Sequence, residues 1–240
     1  QKCKSKLFRY YAQSKKLDKG IKDIMNKDLI ILFDLDGTLI DSTDAILESF
    51  YFAFKDQNFD FTGNDQNIKD EIGYPLDVMF ATLGVNKEDV WNFVDSYKLH
   101  YRKISKEKTT LLPNAKEAVI NASKIARLGV VTTKTTRYSI PLLENFGLLE
   151  YFETIIGRQE VENPKPHPEP ILNALKNMNE IGHTNTYMIG DTKLDLIAAQ
   201  KANIKSVGVL CGYGKEVNLR EYTSLIATNS LEAIKLINNK

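Results

Sequence analysis

Leu29-Ile30-Ile31-Leu32-Phe33-Asp34-Leu35-Asp36-Gly37-Thr38-Leu39 decides how the rest of the chain is read. Five apolar residues run into an acid, a second acid follows two positions later, and a Gly-Thr turn comes next. A short continuous apolar run is the pattern of a strand buried on both faces of a sheet. An unpaired carboxylate inside a core is very costly, so the charged end must leave the sheet into a crevice. Two acids beside a glycine turn are the makings of a cation site.

Downstream, the same kind of run recurs and alternates with helical spacing. Strands are predicted at Leu128–Thr133, Thr154–Gly157, Thr186–Asp191, Ser206–Leu210 and Leu225–Ala227. Helices are predicted at Ala115–Ala126, Tyr138–Asn145, Ile171–Asn177, Leu194–Ala202 and Leu231–Ile237, with Gly147 in place to end the second of them. Alternating strands and helices imply an α/β fold with a doubly wound, parallel, Rossmann-like sheet. The four alternating prolines from Pro164 to Pro170 are predicted to form a stiff, irregular loop.

Between the first two strands the pattern changes. Asp41, Ser42 and Thr43 are all suitable N-caps for a helix over Ala45–Lys55. Residues 56–110 contain no buried strand and read as helices at Asn67–Ile72, Asp77–Leu83 and Lys87–Arg102, broken by Gly73-Tyr74-Pro75-Leu76. The expected organisation is an α/β core from residues 27–42 and 111–240, a small all-helical cap from 43–110, and a basic leader or appended helix over 1–26. Trp91, Phe93, Tyr97 and Tyr101 recur at helical spacing and are expected in the cap core, with a substrate pocket as the alternative, and Tyr74, Lys98 and Arg102 are candidates for substrate contact.

Composition narrows the class. The chain has 240 residues, 42% hydrophobic and 26% charged, which is enough to build a sizeable core. Residues 1–24 hold eight Lys/Arg and two Asp, which leaves 24 basic and 29 acidic residues in the body. A body with an acidic balance is not an obvious nucleic-acid binder. No apolar run reaches the ~18 residues of a membrane span, and no secretory leader pattern opens the chain. Cys3 and Cys211 are the only cysteines, so a disulfide framework is not expected and a cytoplasmic setting fits. Cys211 is expected to act as a small buried hydrophobe, His167 as a turn residue, and His100 and His183 as surface residues.

In open α/β sheets ligands bind beyond the carboxyl ends of the strands. The polar groups at those ends are Asp34 and Asp36, Thr132 and Thr133, and Asp191 followed by Asp195, with Lys165 in the proline loop. No Ser-His-Asp or Cys-His set is available. Carboxylates suit a hard cation such as Mg²⁺, and a lysine with a hydroxyl suits phosphate oxygens. The set implies phosphoryl transfer, in which a carboxylate such as Asp34 attacks phosphorus and Asp36 moves the proton. Taken alone, each member has a plainer reading: a solvated strand end for the acids, β-forming threonines, an exposed lysine.

Asp34-Leu35-Asp36-Gly37-Thr38-Leu39 resembles the first signature of the haloacid dehalogenase-like hydrolases. Val131-Thr132-Thr133-Lys134 resembles their second, Lys165-Pro166 their third, and Gly190-Asp191-Thr192-Lys193-Leu194-Asp195 their fourth, in order over residues 28–238. The resemblance implies Asp34 as nucleophile and Mg²⁺ ligand, and Asp36 as general acid/base with its backbone carbonyl on the metal. It implies Thr132, Thr133 and Lys165 at the substrate phosphate, Asp191 as a further metal ligand, and Asp195 in support. A second Asp with a helical cap resembles the phosphatase and phosphomutase members. Gly73-Tyr74-Pro75-Leu76, the Lys165–Pro170 loop and Gly212-Tyr213-Gly214 look like the phosphoglycolate phosphatase group. Thr133 stands where that group usually carries Asn, and Arg158-Gln159 where an acid or a second Gly is common.

The expectation is therefore a Mg²⁺-dependent phosphatase, monomeric or homodimeric, acting on a small phosphorylated metabolite, with phosphoglycolate favoured. Pyrophosphate, a nucleotide or a sugar phosphate are rival substrates within the family. A phosphomutase of the β-phosphoglucomutase type is the alternative reaction.

Overall fold

The computed structural model describes residues 27–180 and 185–239. The readings made for the basic leader 1–26, for Cys3 and for His183 lie outside the described residues. Ile30–Phe33 forms β1, and all four side chains are fully buried. After it come β2 (Ile40–Asp41), α1 (Thr43–Asp56), α2 (Asp65–Lys69), α3 (Leu76–Thr82), α4 (Val90–Ile104) and β3 (Thr110–Leu111). The chain continues through α5 (Ala115–Ile125), β4 (Arg127–Val131), α6 (Thr136–Asn145), β5 (Phe152–Ile156) and α7 (Glu169–Asn177). It ends with β6 (Thr186–Gly190), α8 (Lys193–Lys201), β7 (Lys205–Val209), α9 (Glu216–Leu219), β8 (Ile226–Ala227) and α10 (Ser230–Asn238).

Six strands make one parallel sheet in the order β5-β4-β1-β6-β7-β8. β1 lies inside it, with β4 on one side and β6 on the other. Successive side chains of a strand point to opposite faces. Ile31 and Phe33 accordingly join an apolar cluster with Val119 of α5, Leu143 of α6 and Ile234 of α10. Ile30 and Leu32 join a second cluster with Ile171 and Leu175 of α7 and Ala198 of α8. Helices cover both faces, which is why β1 tolerates no polar residue until Asp34.

The helices from α1 to α4 build a third apolar cluster of their own, dominated by Phe50, Phe54, Phe80, Phe93, Tyr97 and Tyr101. Phe50 is its hub: its ring centroid lies 4.5 Å from Phe80 and 5.1 Å from Tyr97, tilted and edge-on. Such aromatic geometry adds about 0.5–1.5 kcal/mol per pair beyond area burial. Trp91 departs from its expected place in this core. It is 59% exposed, because it falls on the opposite face of α4 from Phe93 and Tyr97. His100 is not a plain surface residue either; its ring stacks on Phe52 at 4.3 Å and its Nε2 lies 3.0 Å from Glu48 Oε1.

The β2–β3 ribbon and α9 escape the sequence pattern. β2 pairs with β3 in a two-stranded antiparallel ribbon, so the chain enters and leaves the helical segment side by side. Two residues per strand are too few for any periodicity to register. α2 begins at Asp65 instead of Asn67, because the Asn64 side chain accepts from the Gln66 and Asn67 amides and caps it there. Pro170 lies inside α7, within its first turn, where a proline lacks no hydrogen bond that the helix needs.

Candidate active site

The sheet register brings the polar residues to one edge. Phe33 is level with Val130 on β4 and Ile189 on β6, so the residues after them leave the sheet together. Asp34, still hydrogen-bonded through its amide to Ile189 O at 2.9 Å, is 4% exposed. Its Oδ1 lies 2.9 Å from Lys165 Nζ. That ammonium also reaches Asp195 Oδ1 at 2.5 Å and donates to Val131 O at 3.0 Å. Lys165 therefore has a protein partner for each of its three N–H bonds. Asp195 is equally committed, since its Oδ2 accepts from the Thr192 amide (3.0 Å) and hydroxyl (2.7 Å) and closes the first turn of α8.

Asp191 sits across from Asp34 and is fully buried. Its Oδ1 accepts from Thr38 Oγ1 at 3.0 Å and its Oδ2 from the Tyr213 amide at 2.8 Å. Two glycines make room for it. Gly37 holds φ +79°, and a Cβ there would lie 2.3 Å from Asp191 Oδ2. A Cβ on Gly212 would lie 2.1 Å from the same oxygen. Cys211, half-buried instead of fully buried as expected, donates its thiol to Gly37 O at 3.4 Å.

Carboxylate oxygens of Asp34, Asp191 and Asp195 all lie within 4.8 Å of one another. The Lys165 ammonium is the cation among them, so ionising all three acids would leave an excess of negative charge for it to balance. Burial and the neighbouring Asp195 push the Asp34 pKa from 3.8 up to about 7, against the pull of Lys165. Burial, Asp195 and Asp34 likewise raise Asp191 well above the usual carboxylate range. Burial works against the Lys165 charge, but Asp195 and Asp34 outweigh it and hold the ammonium above its ordinary value. All-oxygen donors with uncompensated negative charge are a donor set that fits a hard divalent cation.

Asp36 turns away from this cluster. Its Oδ2 lies 3.1 Å from Lys134 Nζ, and its Oδ1 accepts from Ser42 Oγ. Ser42 precedes α1 but makes no cap hydrogen bond; Asp41 Oδ1 takes the Thr43 amide at 2.9 Å instead. The carboxylates brought together are thus Asp34, Asp191 and Asp195, whereas the Asp36 side chain stands outside the group. Thr132 Oγ1 accepts from the Lys134 amide at 3.2 Å, and both Thr132 and Thr133 face the same opening as Asp34 and Asp36.

That opening is a cavity of about 310 Å³. Asp34, Asp36, Thr132, Thr133 and Lys134 line one end. Tyr74, Met79, Trp91, Val94 and Lys98 line the wall from the helical segment, and Tyr138, Arg158 and Gln159 come from the sheet side. Arg102 is exposed and takes no part. Two contributors had no role assigned from sequence. Lys134 is held by Asp36, by the Tyr101 hydroxyl at 2.8 Å and over the Tyr101 ring at 4.5 Å. Tyr213 supplies its amide to Asp191 and its hydroxyl, 3.0 Å from Thr43 Oγ1, to the start of α1. Both follow motif residues directly, Lys134 after Thr133 and Tyr213 after Gly212, and that position is their one sequence signal; residue type alone does not reveal either contact.

The profile of haloacid dehalogenase-like hydrolases matches residues 31–209. A pyrophosphatase, PpaX, from Oceanobacillus iheyensis is 33% identical over 181 residues, covering 75% of this chain and 82% of that protein. A phosphoglycolate phosphatase from Colwellia psychrerythraea is 31% identical over 203 residues, covering 80% and 89%. The structure of the haloacid dehalogenase-like family hydrolase SP0104 from Streptococcus pneumoniae aligns with a TM-score of 0.78 at 28% identity, covering 87% of this chain and 97% of that one. With the sheet, the strand-end acids and these matches in agreement, the chain belongs to the haloacid dehalogenase-like hydrolase family.

Proposed function

We propose that this enzyme is a Mg²⁺-dependent phosphatase that hydrolyses a phosphomonoester through an aspartyl-phosphate on Asp34. The observation that carries the reading is Asp34 itself. It is a buried carboxylate at the end of an inner strand, 2.9 Å from an ammonium, and it opens onto a cavity shared with a second acid. Polarity of this kind inside a fold is costly and is kept where chemistry uses it.

In the first step a carboxylate oxygen of Asp34 attacks phosphorus, and the bond from phosphorus to the leaving oxygen breaks. Asp36, as a carboxylic acid, gives its proton to that oxygen. In the second step Asp36, now a carboxylate, takes a proton from water as the water attacks phosphorus, and Asp34 is released. Thr132 and Thr133 present hydroxyls to the phosphoryl oxygens, and Lys165 lends positive charge beside the nucleophile. Lys134 holds Asp36 in place. Asp34 and Asp191, with the backbone carbonyl of Asp36, are the residues that would hold Mg²⁺, and Asp195 supports them through Lys165 and Thr192. When bound, the cation offsets the repulsion between the attacking carboxylate and the anionic phosphate.

The helices from α1 to α4 are read as the cap over this site, with the β2–β3 ribbon at its base, and its role is to exclude water and select the leaving group. The relatives named for phosphoglycolate and pyrophosphate make both candidate substrates. A cytoplasmic enzyme working as a monomer or homodimer completes the reading; among the described residues no helix is long and apolar enough to cross a membrane. The test is a phosphoester panel with Mg²⁺, following free phosphate and product isomers. Isomers formed without net phosphate release would replace the phosphatase with a phosphomutase.

A further inference from the structure

The far wall of the cavity is the part of the site that the chemistry above leaves unused. From the helical segment it receives Tyr74, Met79 and Val94, and at its rim Trp91. Trp91 is the most exposed aromatic ring of the described residues, at 59%, yet it lines a cavity. Lys98 Nζ lies 5.9 Å from the centroid of that ring, so the indole is held on an ammonium while it still meets the opening. A large flat ring kept half in water at a cavity mouth costs apolar exposure in the free enzyme, and a ligand ring laid on it recovers that cost.

Size points the same way. About 310 Å³ lies within the range of pockets that enclose a drug-sized ligand. It is far more than a phosphoryl group with a two-carbon acid requires. Charge also argues against a compact anionic leaving group. Lys134, at the reacting end, is already committed to Asp36 and Tyr101. Asp77 adds a carboxylate to the same wall as Lys98. Beyond the polar end the lining is mostly aromatic and aliphatic, and its two cations are engaged elsewhere, Lys98 over the Trp91 ring and Arg158 donating to Val161 O.

We infer that the substrate is a phosphate monoester whose alcohol carries an aromatic ring, and that the ring lies on Trp91 while the phosphoryl group meets Asp34. The inference rests on the phosphatase reading given above and narrows its substrate class. Nucleoside, heteroaromatic and aryl alcohols share the required chemistry.

The test is kcat/KM with Mg²⁺ for ribonucleoside 5′-monophosphates, pyridoxal 5′-phosphate and phenyl phosphate, set against phosphoglycolate and inorganic pyrophosphate. The best ring-bearing ester is expected to exceed both small substrates by about tenfold or more, in line with the worth of one base–aromatic stack. Which of the three ring-bearing arms leads identifies the alcohol. In Trp91→Ala the ratio of kcat/KM for that ester to that for pyrophosphate is expected to fall about tenfold, through KM. Circular dichroism checks that the variant keeps its fold. Phosphate release that favours phosphoglycolate or pyrophosphate, or a ratio unchanged in Trp91→Ala, overturns this inference and leaves the phosphatase standing. No phosphate release from any substrate overturns the phosphatase, and the inference with it.

Discussion

Lys134 Nζ lies 3.1 Å from Asp36 Oδ2 and 2.8 Å from Tyr101 Oη, so one ammonium joins the second acid of the first motif to a helix from the inserted segment. Lys134 follows the end of β4 and Tyr101 sits on α4, so the link spans the sheet and the helices above it. Burial disfavours the Lys134 charge, but Asp36 and Tyr101 more than offset it and hold the ammonium above its ordinary value. Replacing Lys134 with Met leaves Asp36 in a largely buried place without its counter-charge. The expected cost is up to about 3 kcal/mol in stability, with kcat reduced by about tenfold or more. Tyr101→Phe keeps the ring and loses the hydroxyl, and is expected to cost about 1 kcal/mol. Urea denaturation and steady-state kinetics of the two variants provide the check.

The excess negative charge around Asp34, Asp191 and Asp195 predicts that a divalent cation stabilises the fold. Saturating Mg²⁺ is expected to raise Tm of the chelator-treated protein by about 5 °C. Asp191→Asn removes one of the buried acids and is expected to abolish that rise. A differential scanning fluorimetry titration reads both, and a rise of equal size in Asp191→Asn would rule this cation site out.

Without a cation, Asp34 makes stability depend on pH. Its folded pKa of about 7 is raised above the ordinary 3.8, chiefly by burial. The folded state therefore favours the protonated acid: its contribution is fully present below about pH 3.8 and is lost as pH rises through about 7. In the presence of chelator, Tm of the parent enzyme is expected to fall relative to Asp34→Asn as pH rises from 4 to 8. A Tm difference that stays flat across this range would refute the assignment. The same variant is expected to release no phosphate.

Gly212 touches Asp191 closely enough that its side-chain hydrogen is a requirement of the site. A methyl group there would lie 2.1 Å from Asp191 Oδ2 and 2.4 Å from Gly37 O. Gly212→Ala is expected to displace Asp191, lower kcat/KM by about a hundredfold and blunt the Mg²⁺-dependent rise in Tm. Neighbouring Cys211 should be inert: burial, with the Asp191 charge, lifts its thiol to about 11. Native-state alkylation at pH 8, read by peptide mass spectrometry, is expected to be about a hundredfold slower than for a free thiol.

The parts of the fold that could be read from residue order share one property: their signal is local and repeated. β1 is legible because four fully buried residues stand side by side and its two faces are both covered. The four other long strands of the sheet and most of the helices announce themselves in the same way. The β2–β3 ribbon does not, since two residues per strand carry no period and the partners lie some 70 positions apart. Trp91 departs from the expected core because helical spacing alone cannot say how far a hydrophobic face extends; Phe93 and Tyr97 are buried in the apolar cluster, whereas Trp91 is an exposed part of the cavity lining that Tyr97 shares. The role of Lys134 is not legible from the Val131–Lys134 motif that contains it, because nothing in a lysine's neighbours in sequence reveals that Tyr101 and Asp36 stand on either side of it.

Sequence by itself determined the sheet, its acidic strand ends and the class of chemistry those acids permit. Apolar runs and charged ends act through burial, which neighbours along the chain already specify. Only the tertiary structure decided which acids stand together: Asp195 is tied to Asp34 through Lys165 and lies beside Asp191, while Asp36 turns to Lys134. It also decided that the cavity ends in aromatic rings. Those outcomes depend on side chains brought together from four strand ends and an inserted set of helices, and distance in space is not written in distance along the chain.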